Sequence, residues 1–97
     1  MMVLVTYDVE TATRPGRRRL RLVARQCVNF GQRVQNSVFE CVVDPAQLAE
    51  LKHRLLDIID KEKDSLRFYQ MGNNWSHKVD HYGTKSVCNI EEDTLLI

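Results

Sequence analysis

The sequence predicts an α+β fold, an antiparallel sheet with two helices on one face. Three observations predict it. The chain opens on an apolar run, Val3-Leu4-Val5-Thr6-Tyr7, rich in residues that favour strands. Two later stretches repeat apolar residues at helical spacing. A segment after residue 65 alternates apolar and polar side chains.

The opening strand spans about Met2 to Asp8, with Val3, Val5 and Tyr7 facing one way and Leu4, Thr6 and Asp8 the other. A run apolar on both faces is the pattern of a central strand. Glu10 to Gly16 reads as a loop, marked by Thr11, Thr13 and Arg14-Pro15-Gly16. A helix follows, about Arg17 to Phe30, with Leu20, Val23, Ala24 and Cys27 as its apolar stripe. Arg18, Arg21 and Arg25 share its opposite side, and Gly31 reads as its C′ stop. The next strand runs from about Arg33 to Val43. Asp44-Pro45 ends it and opens a second helix, with Asp44 as N-cap and Pro45 at its first position. That helix runs to about Lys61 and buries Leu48, Leu51, Leu55, Ile58 and Ile59. A further strand, about Ser65 to Met71, sets Leu66, Phe68 and Gln70 against Arg67, Tyr69 and Met71. Gly72-Asn73-Asn74 is a turn, and His77 to Tyr82 and Thr94 to Ile97 read as short tail strands. With a tail strand completing the set, the order is β-α-β-β-α-β, the ferredoxin-like arrangement.

A length of 97 residues predicts a single domain over residues 1–97. So short a chain buries only about 60–65% of its unfolded surface, so a partner subunit would help its modest core. At 43% hydrophobic and 28% charged residues, the composition excludes a disordered chain. Met1-Met2 leads straight into the strand without a signal-peptide pattern, and no apolar run approaches the roughly 18 residues of a membrane span. The expectation is a cytoplasmic protein with no membrane partner. Cys27, Cys41 and Cys88 are odd in number and far apart, which argues for packed thiols over a disulfide framework or a four-ligand zinc site.

A net charge of +1 hides an asymmetry. No acidic residue lies between Glu10 and Glu40, while Arg14, Arg17, Arg18, Arg19, Arg21, Arg25 and Arg33 all do. Subtracting those seven from +1 leaves −6 on the rest of the chain. Such a block points to an anionic partner.

Several of these segments resemble a known family. Tyr7-Asp8-Val9, the basic helix Arg19-Leu20-Arg21-Leu22-Val23-Ala24-Arg25, and above all Gly31-Gln32-Arg33-Val34-Gln35-Asn36-Ser37-Val38-Phe39-Glu40-Cys41 resemble the small CRISPR-associated adaptation proteins of the Cas-two family. The resemblance covers about the first 70 residues in order, spacing and length. The tail, with Asn73-Asn74-Trp75 and His77 to Tyr82, is similar to the version found in the I-C subtype. Many members carry a second carboxylate or a different polar set just after the first strand, whereas this loop offers only Glu10, then Thr-Ala-Thr-Arg-Pro-Gly. The resemblance implies a ferredoxin-like homodimer, with the tail (about residues 73–97) in dimer contacts and its last strand added to the partner's sheet. It also implies a role in acquiring CRISPR spacers, in which the dimer bridges the partner integrase and supports the duplex being inserted. Some members are described as metal-dependent nucleases on single-stranded RNA or double-stranded DNA.

Asp8 is the candidate catalytic and metal-binding residue. A carboxylate near a dimer axis would meet its symmetry mate, and the pair would call for a cation. Mg²⁺, or Mn²⁺, suits so sparse an oxygen set. The plainer reading is an Asp that bonds the loop at a strand end. Arg14, Arg17, Arg18, Arg19, Arg21, Arg25 and Arg33 are the candidate nucleic-acid-binding residues, since guanidinium groups hold phosphate bidentately; the plainer reading is a solvated helix face. No aromatic residue interleaves with those from Arg14 to Arg25 for stacking, which favours duplex DNA over sequence-read RNA. Tyr7, Ser37 and Phe39 are supporting candidates: Ser37 for a phosphate or a metal-bound water, Phe39 for a dimer contact, with an edge hydroxyl and a core aromatic as the alternatives. His77, Asp80 and His81 would suit a metal on a helix, but the glycines and asparagines around them argue against one.

The reading is therefore a homodimeric, Mg²⁺-dependent phosphodiesterase of CRISPR adaptation centred on paired Asp8. The alternatives are a non-catalytic DNA-binding scaffold in the same pathway and, third, a ferredoxin-like ribonuclease toxin or ligand-binding regulator.

Overall fold

The computed structural model describes residues 1–71 and 78–84. Along them the chain runs β1 (Met2–Asp8), α1 (Arg14–Val28), β2 (Gly31–Gln35), β3 (Val38–Val42), α2 (Pro45–Ile58), β4 (Ser65–Met71) and β5 (Lys78–Gly83). The sheet order is β2-β3-β1-β4-β5, and every neighbouring pair is antiparallel. This is the ferredoxin-like α+β fold, with β5 added beyond β4. β1 lies at its centre, as its two-sided apolar pattern requires.

The helices cover one face. Val3, Val5 and Tyr7 of β1, Phe39 and Cys41 of β3, and Leu66 and Phe68 of β4 are buried there. Val23 and Cys27 of α1 and Leu48, Leu51 and Leu55 of α2 join them in one core. Full burial of each such Phe or Leu stabilises by roughly 1.5–3 kcal/mol before entropy is counted. On the other face Met2, Leu4 and Thr6 are half-buried and Asp8 is exposed. No helix among the described residues is long and apolar enough to cross a membrane.

Three local expectations need correction. The strand expected over residues 33–43 is a hairpin: β2 and β3 pair with each other, Gln35 opposite Val38, and turn at Asn36 and Ser37. Val34 is the extra residue of a bulge between the Arg33 and Gln35 pairings. The turn uses no residue at positive φ, so it carries none of the Gly-based signals that mark tight hairpins. This split supplies the central β-β pair of the fold. Second, α1 begins at Arg14, not Arg17. Thr13 is its N-cap, accepting the Gly16 N–H at 3.2 Å. Pro15 sits in the first turn, where its missing N–H would have no helical partner anyway, so it starts the helix instead of breaking it. Third, Gly31 opens β2, and Asn29 caps the helix. A Cβ at Gly31 would collide with the Glu40 carbonyl across the hairpin, so close approach explains this glycine.

The second helix starts as expected. The Asp44 carboxylate accepts the Gln47 N–H at 2.7 Å, and the Gln47 side chain accepts the Asp44 N–H at 2.9 Å. It ends at Ile58, earlier than Lys61. The strand expected over residues 77–82 is β5, pairing Lys78 to Gly83 with β4. The turn at residues 72–74, His77 and the expected strand at residues 94–97 lie outside the described residues.

Candidate active site

Asp8 is the last residue of β1 and points away from the helices. Its partner across β4 is Ser65, which is itself opposite Gly83 of β5. Ser65 is only 5% exposed, so a nearly sealed hydroxyl stands on the strand beside the exposed carboxylate. On the other flank β3 has already turned away: β1 pairs with β3 only as far as Thr6 opposite Val38. The turn then clamps the strand end, with the Tyr7 N–H donating to the Ser37 carbonyl at 3.1 Å and the Tyr7 hydroxyl to the Asn36 carbonyl at 3.3 Å. Asp8 therefore stands at the rim of the sheet, at the end of its best-supported strand.

The supporting candidates gather on the opposite face. Phe39 is fully buried and stacks on Tyr7, with ring centres 6.2 Å apart and planes 24° apart. The Arg33 guanidinium lies over Phe39 at 5.2 Å. Burial pushes the Tyr7 phenol up, and the nearby Cys27 adds to it. Tyr7 and Ser37 thus fix the strand that carries Asp8, while Phe39 is a core aromatic.

The arginines divide. Arg14, Arg17, Arg18, Arg21 and Arg25 are exposed along α1, and Arg17 also donates to the Thr11 carbonyl at 3.1 Å. Because α1 covers the face opposite Asp8, the sheet stands between this row and the carboxylate; only the start of α1 approaches the same rim.

Arg19 is different. Its Nε donates to Asp64 Oδ2 at 2.7 Å and its Nη2 to Asp64 Oδ1 at 3.3 Å, while Nη2 also reaches Glu10 Oε2 at 3.4 Å. Asp64 has no exposed surface, yet it is well supplied: the Glu10 N–H donates to Oδ1 at 3.0 Å and the Asp60 N–H to Oδ2 at 2.9 Å. Burial alone would push the Asp64 carboxyl up, but the Arg19 guanidinium and the two backbone N–H groups overcome it and hold the carboxyl below its ordinary value. The Thr13 N–H likewise pulls the half-buried Glu10 carboxyl down, aided by the Thr13 hydroxyl. Nothing in the sequence flagged Asp64, which closes a charged run, Lys61-Glu62-Lys63-Asp64, that looks solvated. Its partner Arg19 lies 45 residues away.

The remaining candidates do not converge. Asp80 faces the helices and binds Lys52 at 2.6 Å, whereas His81 is on the opposite side of the same strand, opposite Arg67. Burial pushes the Cys27 thiol up to about 12, which suits a packed thiol and not a nucleophile. Among the described residues no three His, Cys, Asp or Glu side chains gather at a metal-binding spacing. Asp8 is thus a single exposed carboxylate at the rim, a hard oxygen donor of the kind Mg²⁺ accepts.

The model of the family described as "CRISPR associated protein Cas2" matches residues 1–79. The chain belongs to the Cas2 family. It is 56% identical to a CRISPR-associated endonuclease Cas2 of Halalkalibacterium halodurans over 95% of this chain and 96% of the relative. It is 57% identical to a CRISPR-associated endoribonuclease Cas2 of Nitratidesulfovibrio vulgaris, over 99% of this chain and 94% of the relative. The crystal structure of Streptococcus pyogenes Cas2 at pH 6.5 superposes with a TM-score of 0.71 and 65% identity, covering 77% of this chain and 90% of that one. These Cas2 relatives are named as nucleases, some for RNA and some without a stated substrate.

Proposed function

We propose that this Cas2 chain works as a homodimeric, metal-dependent nuclease of CRISPR adaptation, with Asp8 from each of two copies forming one site. The observation that carries this is the placement of Asp8, an exposed carboxylate ending the central strand on the sheet face away from α1 and α2. A second copy laid against that face would set two such carboxylates together, completing a site that one chain half provides. Bound there, Mg²⁺ or Mn²⁺ would supply charge neutralisation at the scissile phosphate and a more acidic water. The chain's own residues do the rest. Paired Asp8 carboxylates would hold the cation by oxygen, and the exposed arginines of α1 grip phosphates of a nucleic-acid backbone, duplex DNA in preference to RNA. Tyr7 and Ser37 keep the strand end in place. In the adaptation complex the dimer bridges the partner integrase, with the tail in dimer contacts.

The test is cleavage of duplex DNA and of single-stranded RNA by wild type and Asp8→Asn, each with Mg²⁺ and with chelator. Asp8→Asn should lose about a hundredfold or more in rate, since even outer partners of metal sites are worth 10–100-fold, with duplex binding nearly intact. Equal cleavage by the two proteins would remove Asp8 from the chemistry.

One observation favours a second reading, a non-catalytic scaffold. The arginine row and Asp8 lie on opposite faces of the sheet, so a duplex held along α1 need not touch the carboxylate. Charge reversal at Arg18 and Arg21 would then stop spacer integration, while Asp8→Asn would leave it unchanged.

A further inference from the structure

The pair Arg19–Asp64 is the most completely bonded polar group among the described residues, and the Asp8 site does not yet account for it. Each Asp64 oxygen takes one guanidinium N–H and one backbone N–H, so the buried carboxylate is satisfied on both sides. The segments it joins are those that flank Asp8. Glu10, two residues after Asp8 on the same chain, donates its N–H. Ser65, the residue opposite Asp8, follows Asp64 directly. Asp64 also holds the end of β5, where its carbonyl accepts the Thr84 N–H at 3.1 Å. There Gly83 has φ +118, and any Cβ would collide with that same carbonyl. Three chain segments around the carboxylate are thus hung on one residue, and Arg19 neutralises it.

We propose that Arg19 is a positioning residue for the nuclease site: through Asp64 it sets the end of the first strand, and with it Asp8, and it does not grip nucleic acid. The proposal rests on Asp8 being the catalytic carboxylate. The physical reason is exclusivity. The Arg19 side chain is only 15% exposed, and to reach a phosphate its guanidinium would have to leave a sealed carboxylate without its counter-charge. A lysine could serve a phosphate as a point charge, but it cannot span both oxygens of Asp64 as the flat guanidinium does. Arg18, the neighbour on the exposed side, has no such duty.

The experiment compares wild type, Arg19→Gln, Arg19→Lys and Arg18→Gln by three measurements: amide hydrogen exchange, the salt dependence of duplex DNA binding, and steady-state cleavage with Mg²⁺. Arg19→Gln should speed exchange at the Glu10 and Thr84 amides about tenfold or more and lower kcat about tenfold with KM unchanged, the scale of losing an outer-shell partner. Its salt slope should stay that of wild type. Arg19→Lys should fold and bind DNA as wild type does, yet recover neither the exchange protection nor kcat. Arg18→Gln should flatten the salt slope by about one, with exchange at the Glu10 and Thr84 amides unchanged. The idea is overturned if Arg19→Gln flattens the salt slope while Glu10 and Thr84 stay protected, if Arg19→Lys restores full activity, or if exchange rises with no change in kcat. Should Asp8→Asn cleave like wild type, the catalytic reading of Asp8 falls by itself; exchange and salt slope still decide whether Arg19 serves the strand end or the DNA.

Discussion

Asp8 and Asp64 are two carboxylates on adjoining strand ends with opposite fates. Asp8 closes the central strand and is exposed; Asp64 immediately precedes the neighbouring strand β4 and is sealed from water. The local sequence suggests the reverse, because Asp8 ends an apolar run and Asp64 ends a charged one. Burial of a charge is set by what reaches it in space. Asp64 is buried because Arg19 and the N–H groups of Asp60 and Glu10 arrive from elsewhere in the chain. Asp8 sits on the face away from α1 and α2 and is exposed. One carboxylate holds the strand ends and the other is what they present.

The largest expected effect would sharpen that contrast. Asp64→Ala leaves the half-buried Arg19 only its longer contact to Glu10, at 3.4 Å, and breaking a buried pair by removing one member costs about 3–5 kcal/mol. At about 4–8 °C per kcal/mol for a domain of this size, the thermal midpoint should fall by more than about 10 °C. Asp8→Asn, an exposed change, should move it by less than about 4 °C, since such substitutions stay within about 0.5 kcal/mol. Calorimetry of the two variants checks both, and equal losses would erase the distinction between holding and presenting.

Acid should separate the two carboxylates next. Asp64 has its folded pKa held below the ordinary 3.8. Its contribution to stability is therefore complete above that value and is lost as the pH falls through the lower folded pKa. Denaturant titrations between about pH 5 and pH 2 should show a steep acid limb for wild type and for Asp8→Asn, and a flatter one for Asp64→Asn, which has no carboxylate to protonate. An acid limb in Asp64→Asn as steep as in wild type would mean that other groups govern it.

What could be read from the sequence follows from how local each signal is. The faces of β1 and β4, the cap and start of α2 at Asp44-Pro45, and the arginine block all depend on neighbours in the chain. The Asn36–Ser37 turn was hidden because it needs no glycine and interrupts a run that continues to alternate. The start of α1 was hidden because Pro15 and Gly16 signal a break unless Thr13 is seen to cap the helix. For the site, Asp8 was legible as a carboxylate out of place in an apolar strand. Arg19 looked like its exposed neighbours, since only the third dimension shows that it turns inward to Asp64.

The smallest effect tests how far the hub extends along the loop to α1. Thr13 donates twice to Glu10: its N–H to Oε1 at 2.7 Å and its hydroxyl to Oε2 at 2.9 Å. The same hydroxyl oxygen caps α1, and Glu10 leads back through its N–H to Asp64. Asp44 caps α2 equally well, but its side chain accepts only from Gln47, within the start of its own helix. Thr13→Ala and Asp44→Ala should therefore each cost about 1 kcal/mol, the ordinary worth of a cap. They should differ in where the loss is felt. Only Thr13→Ala should speed hydrogen exchange at the Glu10 amide and lower the cleavage rate, and Thr13→Ser should restore both. If Asp44→Ala slows cleavage as much, the effect is one of general stability, and the strand end carrying Asp8 is not specially coupled to the start of the arginine helix.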